Sequence, residues 1–312
     1  MLKASRIYVA GSGGLVGSAI VRKLRAEGYA HVLGRTRAEL DLRDPSAVNS
    51  FFERERPEYL FIAAARVGGI LANSSSPVEF LSDNILIQTN LLSAAHRFGL
   101  KKGLFLGSSC IYPKLAPQPI PEDSLMTGPL EPTNQWYAIA KIAGIRLAQA
   151  YWQEYGMRVI SPMPTNLYGP GDNFDLETSH VMPALLRRFH EAKIGGAPHV
   201  TVWGTGTPRR EFLHVDDLAD AALFLMLHYD SPEIINVGTG RDISIGELAV
   251  LVKDVAGYAG EIVFDPSRPD GTPRKVLDVT RLLAMGWRAR ISLRDGVASV
   301  YRSYAETHGV HA

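Results

Sequence analysis

Tyr137 and Lys141 are the residues whose types and spacing point most directly to chemistry. They stand four positions apart, so both side chains lie on one face if their segment is helical. A phenol with a pKa of about 10 is a poor acid at neutral pH, but a neighbouring ammonium lowers that pKa and makes the phenol a usable proton donor to a carbonyl. The spacing is common by chance, so it needs support from other motifs.

A glycine loop lies between the first predicted strand and the first predicted helix. Its glycines, Gly11, Gly14 and Gly17, have a G-x-x-G-x-x-G spacing, with Leu15 and Val16 between the last two. Glycines at these points allow a tight turn, a close approach of the backbone to a pyrophosphate and close packing of the helix on the sheet. A glycine triplet alone is a weak signal, but this position in a βαβ unit predicts a dinucleotide site.

Two arginines follow the second predicted strand, where an NAD-specific site usually has Asp or Glu. Arg35 and Arg37 stand there instead. A guanidinium suits a 2′-phosphate, and charge-assisted hydrogen bonds of this kind contribute roughly 1.5–3 kcal/mol, or about tenfold to a hundredfold in affinity. NADP(H) is therefore the predicted cofactor, with two solvated loop charges as the alternative reading.

A βα scaffold must bring these motifs together, and the hydrophobic pattern predicts one. Predicted strands lie at 6–10, 32–33, 59–64, 103–107 and 158–160, and predicted helices at 15–27, 45–55, 133–155 and 179–192, with another inside 77–98. Asp44 with Pro45, Ser244 with Glu247, and the run from Ser292 to 295 predict helix starts.

This order of elements predicts an α/β protein with a Rossmann-type doubly wound parallel sheet and a smaller C-terminal substrate lobe. We expect an NADP-binding domain at 1–165, with a return segment near 213–240, and a lobe at 166–312 that mainly binds substrate. Ser108 and Ser109 follow the fourth predicted strand. With the glycine loop and the Tyr/Lys pair they complete the triad of the short-chain dehydrogenases/reductases.

Composition and charge exclude several classes of function. The chain has 312 residues and a net charge of +1, which favours no nucleic-acid partner. No apolar run approaches the roughly 18 residues of a membrane span, and the N-terminal residues lack a signal-peptide pattern. The single cysteine, Cys110, excludes an intramolecular disulfide. We therefore expect a cytoplasmic protein without membrane insertion.

Longer runs of sequence carry a more specific resemblance. They read FLGSSCIYPK at 105–114, EPTN at 131–134, YAIAKIAG at 137–144, MPTNLYGP at 163–170, WGTGTPRREFLHVDD at 203–217 and PDGTPRK at 269–275. In these runs the chain resembles the GDP-L-fucose synthase family of extended short-chain dehydrogenases/reductases. The resemblance implies conversion of GDP-4-keto-6-deoxy-D-mannose to GDP-L-fucose, by epimerisation at C3 and C5 and reduction of the C4 ketone with NADPH.

The resemblance also implies roles for individual residues. Cys110 is the expected base and His180 the expected acid, with His180 as the cation that would make the thiol acidic. Ser108 and Tyr137 are expected to hydrogen-bond the C4 oxygen, and Lys141 to hold the nicotinamide ribose. Without the resemblance, Cys110 would be a small buried apolar residue and His180 a structural one.

Binding residues follow in the same way. The expected cofactor contacts are Gly11, Gly14, Leu15, Val16, Gly17, Arg35, Arg37, Asp41, Leu42, Leu106, Gly107, Ser108, Lys141, Pro164, Asn166, Leu167 and His180. The expected GDP contacts are Arg188, Trp203, Arg210 and Asp270. A homodimer is expected and no metal site is. Family members can carry a basic residue near Gly13, which leaves cofactor choice here to the two arginines after the second strand.

Several alternatives stay open. A related GDP-sugar epimerase/reductase, such as a GDP-colitose synthase that inverts only C5, would share these motifs. A sugar 4,6-dehydratase would have an acidic pair after Ser108, and a 4-epimerase would more often have an acid after the second strand. A non-catalytic NADP-binding regulator on this fold typically lacks the Tyr/Lys pair.

Overall fold

The computed structural model describes residues 1–176, 178–268 and 270–308. The motif residue Pro269 and the end of the predicted C-terminal lobe, 309–312, lie outside the described residues.

The strands and helices alternate along the first half of the chain. The strands are β1 (Arg6–Ala10), β2 (His31–Leu33), β3 (Tyr59–Ile62), β4 (Lys102–Phe105), β5 (Val159–Pro164), β6 (Asn166–Tyr168), β7 (His199–Trp203), β8 (Arg209–His214), β9 (Ile234–Val237), β10 (Asp242–Ser244), β11 (Glu261–Asp265) and β12 (Arg274–Lys275). The helices are α1 (Leu15–Ala26), α2 (Pro45–Glu55), α3 (Ile70–Ser75), α4 (Pro77–Arg97), α5 (Gln135–Tyr155), α6 (Val181–Gly195), α7 (Val215–His228), α8 (Ile245–Ala256), α9 (Thr280–Ala284) and α10 (Leu293–His308).

Six strands form one parallel sheet in the order β2-β1-β3-β4-β5-β9. The chain reverses its direction of winding between β1 and β3, which is the switch point of a doubly wound sheet. The predicted Rossmann-type fold is confirmed. Shorter sheets of β6, β8, β10 and β12 and of β7 with β11 make up the smaller C-terminal part.

Alternation along β1 explains why the large sheet has helices on both faces. Tyr8 points to an apolar layer with Phe51 and Phe52 of α2, whereas Ile7 and Val9 point to the other layer, with α1 and α7. Helix α7 packs against α1, and β9 extends the sheet beside β5. Residues after 213 therefore return to the large sheet.

The helix starts predicted from capping residues are confirmed. Asp44 accepts hydrogen bonds from the N–H groups of Ser46 and Ala47, and Ser244 forms a complete capping box with Glu247. Ser292 accepts the N–H of Asp295 at 3.2 Å. Boundaries differ elsewhere: a 3-10 turn at Pro132–Asn134 precedes α5, so the helix begins two residues later than predicted.

Another difference concerns β5, which runs to Pro164 instead of ending at residue 160. Its prolines suggested a break, because proline cannot donate to a sheet ladder. The strand tolerates Pro162 because its carbonyl oxygen still accepts the N–H of Gly107 at 3.0 Å. The sheet thus reaches further toward the C-terminal part.

The smaller part is organised around a buried carboxylate. Glu211 of β8 is fully buried and accepts N–H hydrogen bonds from Thr239 at 2.5 Å, Gly240 at 2.7 Å and Leu277 at 2.9 Å. These bonds join β8 to the turn after β9 and to the residues after β12. No helix among the described residues is long and apolar enough to cross a membrane.

The glycine loop is packed too tightly for side chains at two positions. Gly11 has a φ of +83°, and a Cβ there would lie 2.7 Å from the backbone nitrogen of Ala64. A Cβ on Gly17 would lie 2.0 Å from the carbonyl oxygen of Gly11. The start of α1 therefore rests directly on the loop, as the motif predicts.

We expect Gly17→Ala to destabilise the protein by about 1–3 kcal/mol, because the added methyl group must displace backbone. Gly13→Ala is the matched control, since a Cβ there meets nothing within 4 Å. Urea unfolding of the two variants beside the parent protein measures the difference. Equal stability of Gly17→Ala and the parent would show that the loop and α1 are not packed as described.

Candidate active site

The glycine loop stands at the switch point of the large sheet. Gly11 follows β1 and contacts the backbone at Ala64, just beyond β3. Gly14 caps α1 without a side chain, and its N–H donates to the carbonyl oxygen of Gly11 at 3.0 Å. The first turn of α1, which contains Leu15 and Val16, thus presents backbone N–H groups without a side-chain cap, and such groups bind a pyrophosphate well.

The arginines after β2 are placed beside this loop. A Cβ on Gly34 would lie 2.4 Å from the hydroxyl oxygen of Ser12, so the end of β2 touches the glycine loop. Arg35 donates to Glu55 at 3.0 Å and lies 5.4 Å from the Phe51 ring centroid. Arg37 is exposed and forms no ion pair within the described part of the chain. The Arg35 guanidinium is therefore held in place, whereas the Arg37 guanidinium has no ion-pair partner among the described residues. Two such groups beside the glycine loop suit a 2′-phosphate.

Other expected cofactor residues lie in the segments that follow. Arg43 holds Asp41 with a 2.6 Å ion pair, and its hydrogen bonds lower the pKa of that carboxyl to about 2. The carbonyl oxygen of Leu42 accepts the side-chain amide of Asn90 at 2.9 Å. Hydrogen bonds and packing thus fix both residues after the arginines.

The carboxyl ends of β4 and β5 carry the next group. The carbonyl oxygen of Leu106 accepts Lys141, and Gly107 packs so closely on Met163 that a Cβ would lie 2.2 Å from its methyl group. Pro164 ends β5, and Asn166 donates to the carbonyl oxygen of Glu211 at 2.8 Å. Leu167 follows in β6 and packs on the core.

Ser108, Tyr137 and Lys141 converge, as their motifs predict. Ser108 starts the 3-10 turn after β4, and its hydroxyl oxygen accepts the N–H of Cys110 at 3.2 Å. Tyr137 hydrogen-bonds the Ser108 side chain. Lys141 is buried, and its ammonium donates to the carbonyl oxygen of Leu106 at 2.7 Å and lies 5.8 Å from the Tyr137 ring centroid.

The electrostatics of this group differ from the expectation. Burial, and then the charge of Cys110, raise the pKa of Tyr137, which outweighs the hydrogen bond from Ser108. Burial lowers the pKa of Lys141 to about 8. The expected lowering of the phenol pKa is absent here because the ammonium is directed at the carbonyl oxygen of Leu106. Tyr137 is therefore a neutral phenol that carries its proton.

Cys110 lies in the same turn, half-buried between the two parts of the protein. Its sulfur accepts hydrogen bonds from the Asn134 amide at 3.4 Å and from the Lys275 ammonium at 3.5 Å. Burial alone would raise the pKa of the thiol, but Lys275, Ser108 and Arg210 together lower it. The net result is a pKa of the Cys110 thiol below its ordinary value.

The cation that hydrogen-bonds this thiol is Lys275, and a charged His180 beside the thiol stays a prediction. His180 is the N-cap of α6 and is exposed as a residue, yet enough protein surrounds the ring for lost hydration to lower its pKa. The charge of Lys275 lowers that pKa further. Both effects disfavour the charged imidazole, and Lys275 is a cation that the sequence interpretation missed.

A small cavity lies beside Cys110, between the two parts of the protein. Its volume is about 30 Å³, enough for a water molecule. The lining includes Cys110, Glu131 and Asn134 from the first part and Thr272 and Lys275 from the second. Glu131 is bound to Lys114 at 3.0 Å and to the N–H of Thr133 at 3.3 Å, which fixes the turn that carries Asn134.

Trp203 and two arginines form a separate cationic surface on the smaller part. Trp203 is 47% exposed, with the guanidinium carbons of Arg188 and Arg268 at 4.7 and 5.0 Å from its ring centroid. Arg188 also donates to the carbonyl oxygen of Thr201 at 2.9 Å. Arg268 was not predicted, although it directly precedes the last of the motif runs.

Asp270 and Arg210 connect that surface to Cys110. The Asp270 carboxylate accepts the N–H and the hydroxyl of Thr205, both at 2.8 Å, which holds the turn after Trp203. Arg210 donates to the carbonyl oxygen of Asp270 at 3.4 Å and adds to the positive field at Cys110. No group of three or more potential metal ligands occurs among the residues that the structure describes.

Comparison with known proteins places this arrangement in a family. A sequence model of the NAD dependent epimerase/dehydratase family matches residues 7–238. The chain therefore belongs to that family.

Within the family, the chain is similar over almost its whole length to GDP-L-fucose synthases. It is 57% identical to GDP-L-fucose synthase 1 of Arabidopsis thaliana, covering 97% of this chain and 94% of that protein. It is 54% identical to GDP-L-fucose synthase of Escherichia coli, with 98% of each covered. A solved GDP-L-fucose synthetase of Naegleria fowleri bound to NADP has a TM-score of 0.92 at 30% identity, covering 99% of this chain and 96% of that one.

We expect Arg35→Ala to bring the affinities for NADPH and NADH closer by about tenfold to a hundredfold, mainly by weakening NADPH. Arg54→Ala is the matched control, because Arg54 pairs with the same Glu55 carboxylate at 3.2 Å. Cofactor titration followed by fluorescence measures both affinities. An unchanged ratio of the NADPH and NADH affinities in Arg35→Ala would show that Arg37, and not Arg35, binds the 2′-phosphate.

Proposed function

We propose that this protein epimerises C3 and C5 of GDP-4-keto-6-deoxy-D-mannose and reduces C4 with NADPH to give GDP-L-fucose. The observation that carries the proposal is the convergence of Ser108, Tyr137 and Lys141 with Cys110 in one cleft, beside a cationic surface. The similarity to GDP-L-fucose synthases in both parts of the chain supports the same substrate.

The epimerisation uses the acidity of protons beside a ketone. The Cys110 thiolate takes the proton from C3 or C5, and the electron pair of the broken C–H bond moves to the C4 oxygen. Ser108 and Tyr137 donate hydrogen bonds to that oxygen and stabilise the enolate. His180 returns a proton on the opposite face of the ring, so the centre is inverted.

The reduction uses the same oxygen. NADPH, when bound, supplies the hydride that C4 receives. Tyr137 gives its proton to the C4 oxygen, and its raised pKa means that this proton is present at neutral pH. Lys141 holds the nicotinamide ribose, and its lowered pKa leaves it able to pass a proton toward the phenol.

The glycine loop and the residues at the ends of β2, β4 and β5 would hold NADP(H). The fit rests on the uncapped start of α1 and on the close contact of Gly11 with the end of β3. Arg188, Trp203, Arg210 and Asp270 would hold GDP, with Arg268 as a further contact. We place the cofactor in 1–165 with the return segment 213–240, and the GDP-sugar mainly in 166–312.

A cytoplasmic homodimer is the assembly that we propose. Family resemblance suggests contact through helices of the first part, and α4 and α5 carry the exposed apolar side chains Leu86 and Ile139. Such side chains are suited to pack against a second copy. The charge of the chain offers no field for nucleic acid.

The function is tested by supplying NADPH with GDP-4-keto-6-deoxy-D-mannose and, separately, with its 3-deoxy analogue. The proposal expects faster NADPH oxidation with the first. Preference for the analogue would favour the activity named in a GDP-L-colitose synthase of Yersinia pseudotuberculosis, which is 37% identical over 94% of this chain. No NADPH oxidation with either substrate would mean that the chain belongs to the family but lacks this activity.

We expect Tyr137→Phe to slow ketone reduction by about 10²–10⁴-fold, because the proton donor is lost while the site retains its shape. Binding of NADPH should survive. Tyr151→Phe is the matched control on the same helix, where the ring packs at a tilt against His96 with 5.3 Å between centroids. NADPH absorbance follows the rate. Near-normal reduction by Tyr137→Phe would mean that another acid serves C4.

Cys110→Ser should abolish deuterium incorporation at C3 and C5 in D₂O, because a serine hydroxyl is too weak an acid to supply the base. Slow NADPH oxidation should persist through reduction of the uninverted ketone. His180→Gln should retain some exchange, since proton removal survives, but form little inverted product. Fully inverted product from Cys110→Ser at an unchanged rate would make the cysteine a packing residue only.

A further inference from the structure

Lys275 is a cation with an unusual partner. It lies in β12, where it is paired in register with Arg210 of β8, and it is half-buried. Its ammonium lies 3.5 Å from the sulfur of Cys110, 165 positions earlier in the chain. Lys275 forms no ion pair with any carboxylate among the described residues. The neighbouring Arg274, by contrast, pairs with Asp242.

The position of Lys275 is fixed by the backbone that follows it. The N–H of Val276 donates to the Gln118 side chain at 3.0 Å, and the N–H of Leu277 donates to the buried Glu211. The carbonyl oxygen of Val276 accepts the N–H of Ile120 at 2.8 Å. These bonds attach β12 to both parts of the protein, so the ammonium is held at the thiol.

We propose that Lys275 keeps Cys110 in its thiolate form and aims the sulfur, with the Asn134 amide as the second donor. Both contacts are hydrogen bonds that favour the charged form of sulfur over the thiol. An ammonium close to a cysteine is an established means of making it reactive. Lys275 is thus a positioning residue for the base, and what the thiolate does rests on the proposed function.

Other charged and titratable groups also face this sulfur. They are Arg210 of β8 and Tyr137 of α5, together with three charged residues that line the same cavity, Lys114, Glu131 and Arg274. Arg210 acts in the same direction as Lys275, but its guanidinium is occupied by two carbonyl oxygens. Lys114 is paired with Glu131 and Arg274 with Asp242, so neither cation replaces the ammonium of Lys275 at the sulfur.

The proton step is balanced without any change in Lys275. The thiolate takes one proton from the sugar carbon and becomes a thiol, the C–H electron pair moves to the C4 oxygen, and Lys275 retains its own proton throughout. When the S–H group later loses its proton to solvent, the same ammonium restores the thiolate. Lys275 therefore acts through Cys110 and not on the sugar.

Alkylation by iodoacetamide tests this directly, because Cys110 is the single cysteine and each modified chain gains one adduct by mass. The parent protein should react with an apparent pKa below the ordinary thiol value of about 8.5. Lys275→Met should raise the apparent pKa by about one unit or more, so that alkylation at pH 7 falls about tenfold. Lys275→Arg should restore most of the reactivity.

Arg274→Met is the matched control, since it removes the same charge from the same strand and leaves Asp242 paired with Arg209 at 2.9 Å. Its alkylation profile should match that of the parent. Circular dichroism shows whether each variant is folded. An alkylation profile of folded Lys275→Met that matches the parent would overturn the proposal, even if its KM for the GDP-sugar rises.

The test separates this proposal from the proposed function because it needs no substrate. Absence of turnover with the GDP-sugar would remove the proposed function and leave a shifted alkylation profile standing. Conversely, normal turnover with an unshifted profile would remove only the role of Lys275. In the active protein, Lys275→Met should also move the pH at which deuterium exchange begins to higher values, while Lys275→Arg returns it toward the parent.

Discussion

The buried carboxylate of Glu211 is the constraint on which the site depends. A carboxylate out of contact with water is stable only when hydrogen bonds satisfy it, and Glu211 obtains them from backbone N–H groups on either side of β8. One of these belongs to Leu277, two residues after Lys275. Satisfying Glu211 therefore sets the register of β12, and with it the distance between Lys275 and the cysteine of the first part.

Because that register places Lys275 at Cys110, one cleft can hold an acid for reduction and a base for epimerisation. Burial raises the pKa of Tyr137 and preserves the proton that reduction requires, whereas Lys275 lowers the pKa of Cys110 and so favours the thiolate that epimerisation requires. Burial, and then the charge of the same ammonium, lower the pKa of His180.

Local features of the sequence were enough to predict the large sheet, the glycine loop and the convergence of Ser108 with Tyr137, because strand order and helical spacing determine them. Lys275 and Arg268 were missed since their significance comes from contacts with Cys110 and Trp203 that are distant in the chain. The extent of β5 was underestimated because Pro162 uses only its carbonyl oxygen in the sheet.

The central claim is that one cleft inverts two carbons and reduces the carbon between them. The most direct measurement is NMR of the sugar formed by the parent protein in D₂O with unlabelled NADPH and GDP-4-keto-6-deoxy-D-mannose. The account predicts the L-fucose configuration, with deuterium at C3 and C5 and protium at C4. A product of D-rhamnose configuration with protium at all three carbons would contradict it.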